Sequence, residues 1–239
     1  MQASFVTVQD APLDALIRAL RDGLLDGLAV LMPVSCASCQ HPDRSLCAVC
    51  TGALQASELF RQHLTVDASA GIELVSALRY DETVRRIILA FKQKDRTDVA
   101  RALAAPLANA VRSVVEAAGA RVELAPVPSS RVAYRRRGYD PVLVLLRLAG
   151  FAPGRVLTVV GNRAQQKKLG TLERFENVSG SMVAVRTLAG RRFVIVDDVV
   201  TTGATISEAA RAITAAGGVV VGAATLAFTP RLLPIRDIG

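Results

Sequence analysis

One stretch constrains the fold of this chain more than any other: Phe193-Val194-Ile195-Val196-Asp197-Asp198-Val199-Val200-Thr201-Thr202-Gly203-Ala204-Thr205. Residues 192–196 read as a continuous apolar strand, the pattern of a strand buried on both faces of a parallel sheet. A helix is predicted over 205–216, closed by Gly217-Gly218, and a second buried strand over 219–227. A strand, a helix and a strand in that order require a crossover connection and hence a parallel pairing. Upstream the same alternation recurs. Helices are predicted over 81–91, with Val84, Ile87, Ile88 and Phe91 on one face, over 99–115, with Pro106 as a kink or boundary, and over 141–148. Short strands are predicted over 122–127, ending at Pro128, and over 156–160. The predicted class is α/β, a parallel sheet flanked by helices.

The same stretch carries chemistry. The start of a helix offers unpaired backbone N–H groups at its positive dipole end, a ready anion site. Thr201, Thr202 and Thr205 add hydroxyl donors, and Gly203 allows close approach of a phosphate to the backbone. Asp197 and Asp198 are poor phosphate ligands but suit the hydroxyls of a ribose, as acidic residues do in dinucleotide sites. Donors for a phosphate beside acceptors for a sugar diol fit a ribose 5-phosphate. An Asp or a Thr alone would indicate no more than a capped strand-to-helix turn.

A second signal lies near the N-terminus. All four cysteines fall within fifteen residues, as Cys36, Cys39, Cys47 and Cys50. Two Cys-x-x-Cys pairs seven residues apart can each aim two thiolates at one point, which together make a tetrahedral zinc site. Four sulfur ligands leave no open position, so the zinc would be structural. Four free or redox-active thiols are the alternative. His41, in the polar loop between the pairs, is expected to face solvent.

Residues 1–60 carry 3 Lys/Arg against 6 Asp/Glu, whereas residues 131–174 carry 10 against 2. The local excess of +8 equals the net charge of the whole chain. A segment so basic meets phosphates, of a small substrate or of nucleic acid. Aromatics make up only 4% of the chain and Trp is absent, which leaves few platforms for stacking bases. The N-terminus lacks the basic start of a signal peptide. Apolar residues from Leu13 to Leu31 fall at helical spacing but are interrupted by Asp14, Arg18, Arg21, Asp22 and Asp26, so a packed amphipathic helix is expected rather than a membrane span. The expected location is cytoplasmic.

Residues 193–205 resemble the 5-phosphoribosyl-1-diphosphate (PRPP) motif of type I phosphoribosyltransferases. The preceding cysteine cluster resembles that of the ComF family of bacterial competence-related proteins. Leu78-Arg79-Tyr80 with the segment Val84 to Lys92, Ala125-Pro126-Val127-Pro128, Arg135-Arg136-Arg137-Gly138-Tyr139, and Gln165-Gln166-Lys167-Lys168-Leu169 with Arg174 and Asn177-Val178-Ser179-Gly180 resemble further elements of that family. Asp140-Pro141 departs from it, since a polar Asn-Gln pair is common there. The resemblance implies a type I phosphoribosyltransferase-like parallel sheet flanked by helices, with a small N-terminal zinc module of four cysteines. The implied divisions are 1–30 (amphipathic helix), 31–56 (zinc module) and 68–239 (transferase-like domain).

It further implies that Asp197, Asp198, Val199, Val200, Thr201, Thr202, Gly203, Ala204 and Thr205 bind PRPP together with Mg2+. Transfer from PRPP builds positive charge on the ribose and negative charge on the departing diphosphate, which cations stabilise. Arg135, Arg136, Arg137, Arg163, Lys167 and Lys168 are the candidate diphosphate contacts, the last three in a Gly/Asn/Gln-rich stretch expected to cover the ligand. No acceptor motif is legible. A magnesium-dependent phosphoribosyltransferase is the leading reading. A PRPP- or nucleotide-sensing protein without transfer, or an accessory of single-stranded DNA or DNA-processing proteins, are the alternatives.

Overall fold

A computed structural model describes residues 34–42, 44–55, 58–66, 71–93, 96–119, 121–160 and 180–230. The helix expected within 1–30, and Arg163, Lys167 and Lys168 with the cover they were expected to form, lie outside the described residues.

After a short helix α1 (Ala48–Gly52), strands β1 (Phe60–Thr65) and β2 (Gly71–Arg79) form an antiparallel pair. Helix α2 (Glu82–Gln93), a single 3-10 turn and helix α3 (Ala100–Ala118) lead to β3 (Glu123–Pro126). Two short helices follow, α4 (Arg131–Arg137) and α5 (Pro141–Leu148). Strands β4 (Leu157–Val159) and β5 (Met182–Ala184) precede β6 (Arg192–Val200), helix α6 (Ala204–Ala215) and β7 (Val219–Phe228). The main sheet has the order β1-β2-β7-β6-β3, with β2, β7, β6 and β3 parallel and β1 antiparallel at one edge.

Strand alternation sends the side chains of β6 into two cores. Val194 and Val196 face α2, α3 and α5, joining Ile87, Phe91, Leu103, Leu107 and Leu145. Phe193 and Ile195 face the other way, toward Ile206, Ala209 and Ile213 of α6 and Leu157 and Met182 of the small sheet. Each such large side chain, fully buried, stabilises by roughly 1.5–3 kcal/mol before entropy is counted. Helix α3 lies so close to β7 that a Cβ at Gly222 would stand 2.7 Å from Val114 Cγ1. Inside the sheet, the buried hydroxyls of Ser76 and Thr225 satisfy one another across β2 and β7 at 2.7 Å.

Three expectations change. The central strand does not stop at Val196 but continues to Val200, because β7 keeps pairing through Asp197↔Thr225 and Val199↔Ala227. Pro106 neither starts nor ends a helix; it is buried inside α3. Its missing N–H is outweighed by the apolar face around it, Leu103, Leu107, Ala110 and Val111. The strand expected over 156–160 leaves the main sheet and pairs antiparallel with β5 in a separate two-stranded sheet resting on α6. Arg135, Arg136 and Arg137 follow the end of β3 and lie on helix α4.

Candidate functional site

Both aspartates sit within β6, so alternation sends their side chains to opposite faces of the strand. Asp197 is buried, at 9% exposure, and its Oδ1 accepts the backbone N–H of Asp198 at 2.8 Å. Burial first, and then the charge of Asp198, push its carboxyl up to about 8. Asp198 carries the pair's charge outward: its Oδ2 meets Nζ of Lys92, in the last turn of α2, at 2.8 Å. Lys92 is a site neighbour that sequence reasoning did not single out. Lys94 and Arg96 follow within four residues, so its place in the sequence did not set it apart.

Beyond Val200 the chain turns sharply into α6. Gly203 caps the helix at φ 78°, a left-handed conformation that favours glycine. A Cβ there would stand 2.4 Å from Leu64 Cδ1 of β1. The glycine expected to admit a phosphate is thus also required by its own backbone and by a neighbouring strand. Thr202 Oγ1 accepts the N–H of Ala204 at 3.3 Å, and the loop leaves Thr201 exposed. At the start of the loop, the N–H of Thr229 donates to the carbonyl of Val200 and ties the turn to the end of β7.

The basic stretch divides by geometry. Helix α4 is capped by Ser130, whose Oγ accepts the N–H of Ala133 at 3.2 Å, and by Gly138 at φ 77°. None of its residues is buried. Arg135 lines a cavity of about 460 Å3 between the end of β3, helices α4 and α5 and strand β4. Arg137 turns toward the same wall: its Nη2 donates to Ser129 Oγ at 3.2 Å while its Nε is buried without a partner. Arg136 is exposed and does not line the cavity. The cavity also has Arg131, Tyr134 and Arg155 in its walls, none of which the sequence marked as a site.

Asp140 connects cavity and loop. Its Oδ2 accepts the N–H of Ser129 at 2.9 Å and its Oδ1 that of Leu143 at 3.4 Å, capping α5 with Pro141 in the first turn. It is near enough to Asp197 to raise that carboxyl further. The adjacent Tyr139 stacks on Phe91, ring centroids 5.4 Å apart, and donates its hydroxyl to the Phe91 carbonyl at the end of α2. Lys92 is the next residue, so this contact steadies the helix end that reaches Asp198.

The four cysteines converge. Their sulfurs lie within 4.8 Å of one another, and Cys39 and Cys47 are 3.6 Å apart. Tetrahedral ligation at about 2.3 Å per sulfur needs separations near 3.8 Å, so a metal such as zinc fits. Burial pushes the Cys36 thiol up, but N–H groups of Cys47, Cys39 and Ser38 outweigh it and bring the group down to about 6. Burial and the surrounding thiols push Cys50 up to about 12. The N–H of Cys36 donates to His41 O at 2.7 Å and that of Ala37 to Ser45 O at 2.9 Å, which folds the first pair into a knuckle. His41 is exposed and outside the cluster. Cys36, Cys50 and Leu54 share a core with α2 and α3, and Ser38 Oγ donates to Thr83 O at 3.4 Å.

Among the described residues no helix is long and apolar enough to cross a membrane. No curated protein matches the chain. Among solved structures, a crystal structure of adenine phosphoribosyltransferase is similar at a TM-score of 0.35 and 15% identity, over 77% of this chain and 91% of that one. Residues 156–234 match the family model for the phosphoribosyl transferase domain. The fold is phosphoribosyltransferase-like, and the matched span holds β6, the acid–threonine loop and α6 together.

Proposed function

We propose that the chain binds PRPP with Mg2+ at residues 197–205 and transfers its phosphoribosyl group to a nitrogenous acceptor. The observation that carries this reading is the junction of β6 and α6. There a charged carboxylate, three threonines and a left-handed glycine stand within nine residues, inside a span that matches the phosphoribosyl transferase domain. The helix start and the threonines suit the 5-phosphate, and the outward-facing carboxylate of Asp198, with Asp197 buried behind it, suits the ribose diol. Arg135 and Arg137 are the described candidates for the diphosphate, and Arg163, Lys167 and Lys168 complete the proposed set. Mg2+, carried with the diphosphate, would offset its negative charge.

In the transfer, an acceptor nitrogen places its lone pair on ribose C1 and the C1–O bond to diphosphate breaks. The diphosphate leaves with the bonding electrons, and a proton on the nitrogen passes to water. The chain's part is to fix the ribose and to stabilise the leaving group. A role in competence follows only from the family resemblance. Cys36, Cys39, Cys47 and Cys50 would hold one structural zinc, in a module proposed to span 31–56 ahead of a transferase-like domain over 68–239.

Calorimetry of PRPP with Mg2+, followed by PRPP consumption against a panel of bases, amines and ammonia, tests the reading. Saturable binding with consumption by one acceptor is the expected result. Binding without consumption would favour a sensor, and indifference to PRPP would remove the assignment. A steep salt dependence of single-stranded DNA binding would favour the accessory role. Elemental analysis is expected to find one zinc per chain, and a chelator to loosen residues 34–55 while the main sheet stays folded.

A further inference from the structure

The cavity at the end of β3 has a charge balance that the diphosphate reading does not use up. Arg131 and Arg135 enter it from α4, and Arg155 from the segment leading into β4. Among the described residues none of the three makes an ion pair. The one carboxylate in the walls, Asp140, has each oxygen engaged by a backbone N–H. At about 460 Å3 the space is the size of a small-molecule site. Of the three arginines, Arg135 is already a diphosphate candidate, whereas Arg131 and Arg155 are not. Arg155 comes from another element, with apolar Leu157 and Val159 just after it in the same wall and Tyr134 also lining the space.

A flat ring could fill such walls, and covering Arg155 would strip water from its guanidinium. A neutral ring gives nothing in return, whereas a carboxylate on the ring restores the lost hydrogen bonds with a charge-assisted pair. We infer that the acceptor is a planar nitrogen heterocycle bearing an acidic group, seated in this cavity with its anion on Arg155. The inference rests on the PRPP reading for the reaction, but not for the binding preference.

The test compares two matched probe pairs on the full chain by calorimetry, with and without PRPP and Mg2+: nicotinate against nicotinamide, and orotate against uracil. In at least one pair the carboxylate is expected to bind about tenfold or more tightly than its neutral partner. Arg155→Gln should reduce that preference to within about twofold, Arg155→Lys should keep part of it, and both should bind PRPP like the parent chain. Equal binding within both pairs, or a preference that survives Arg155→Gln, would overturn the inference. So would an Arg155→Gln variant that loses PRPP affinity as steeply as carboxylate affinity, because Arg155 would then belong to the diphosphate. A carboxylate preference in a chain that ignores PRPP would leave this pocket standing and remove the transferase reading instead.

Discussion

The acid–threonine loop and helix α4 are both short, charged and aimed at phosphate chemistry, yet they are built in opposite ways. The loop is the continuation of a strand paired on both sides: β3 pairs with β6 as far as Val196, and β7 as far as Val200. Its first aspartate is buried and its glycine is wedged against Leu64. Helix α4 has seven residues and buries none of them; two caps and the Arg137–Ser129 contact hold it in place. A charged group on the first element is fixed before any ligand arrives. On the second, most of the organisation is left to the ligand. Preorganisation of this kind is where binding energy is conserved, so substitutions in the two regions should fail in different ways.

The largest expected effect is on the stability of the loop. Gly203→Ala forces a side chain into a left-handed backbone and into Leu64, and should cost roughly 1–3 kcal/mol, or about 2–12 °C in Tm. Thermal denaturation measures it, and the same substitution should cost less when made in a Leu64→Ala background than in the parent chain. A Gly203→Ala variant as stable as the parent would end the claim that the loop is rigidly held.

Asp198→Asn comes next, and it acts on binding. Loss of the charge that meets Lys92, and by proposal the ribose, should weaken PRPP by roughly 1.5–3 kcal/mol, about ten- to a hundredfold, at nearly unchanged Tm. Calorimetry with Mg2+ present decides; parent-like affinity would take the ribose contact away from this carboxylate.

Asp197 gives a pH signature with a definite sign. Its folded pKa is raised to about 8 by burial and by Asp198, whereas in the unfolded chain it titrates near about 4. Between those values the folded state holds a proton that the unfolded state has released. Stability therefore falls as pH rises through that window, by at most about 1.4 kcal/mol per pH unit for this group, and levels off above about 8. Urea denaturation at a series of pH values should show this slope, and Asp197→Asn should flatten it. The same slope in the variant would assign it to another group.

The smallest effects belong to α4. Arg135→Ala and Arg136→Ala should each leave stability within about 0.5 kcal/mol, because neither side chain is buried. PRPP affinity should fall for Arg135, which lines the cavity, and hold for Arg136, which does not. Equal losses from both would mean that α4 acts only through its total charge, and the contrast between fixed and ligand-organised regions would lose its sharper half.

Much of this arrangement was legible beforehand, for reasons that differ from place to place. The helix at Pro141–Leu148 and those around Ile87 and Ile206 announced themselves by an apolar face or by an initial proline. The cysteine cluster was legible because ligand spacing is local. The hairpin of β1 and β2 was not anticipated, since β1 is an edge strand with a mixed pattern, Phe60 to Thr65, and the burial of β2 comes from its neighbours across the sheet. Lys92 and Arg155 were missed for another reason. Each matters through a neighbour far away in the chain, and nothing in the local sequence distinguishes such a cation from one on a solvated face.

The sequence by itself determined the chemistry available at each point: a strand that must be buried, two carboxylates and three threonines beside a glycine, four thiols at metal spacing, and a cationic excess in one segment. Those are properties of residue type and short spacing, which do not depend on what lies across the molecule. Only the tertiary structure decided which of those groups share a site. Pairing with β7 extended β6 through the acidic pair and set the two carboxylates on opposite faces, one buried and one meeting Lys92. The packing of β4 against β5 and α6, away from the main sheet, brought Arg155 to the cavity that Arg135 reaches from α4. Burial and pairing are long-range outcomes of how helices cover a sheet. They turn one aspartate into a proton-holding group and its neighbour into an ion-pair partner, although the sequence writes both with the same letter.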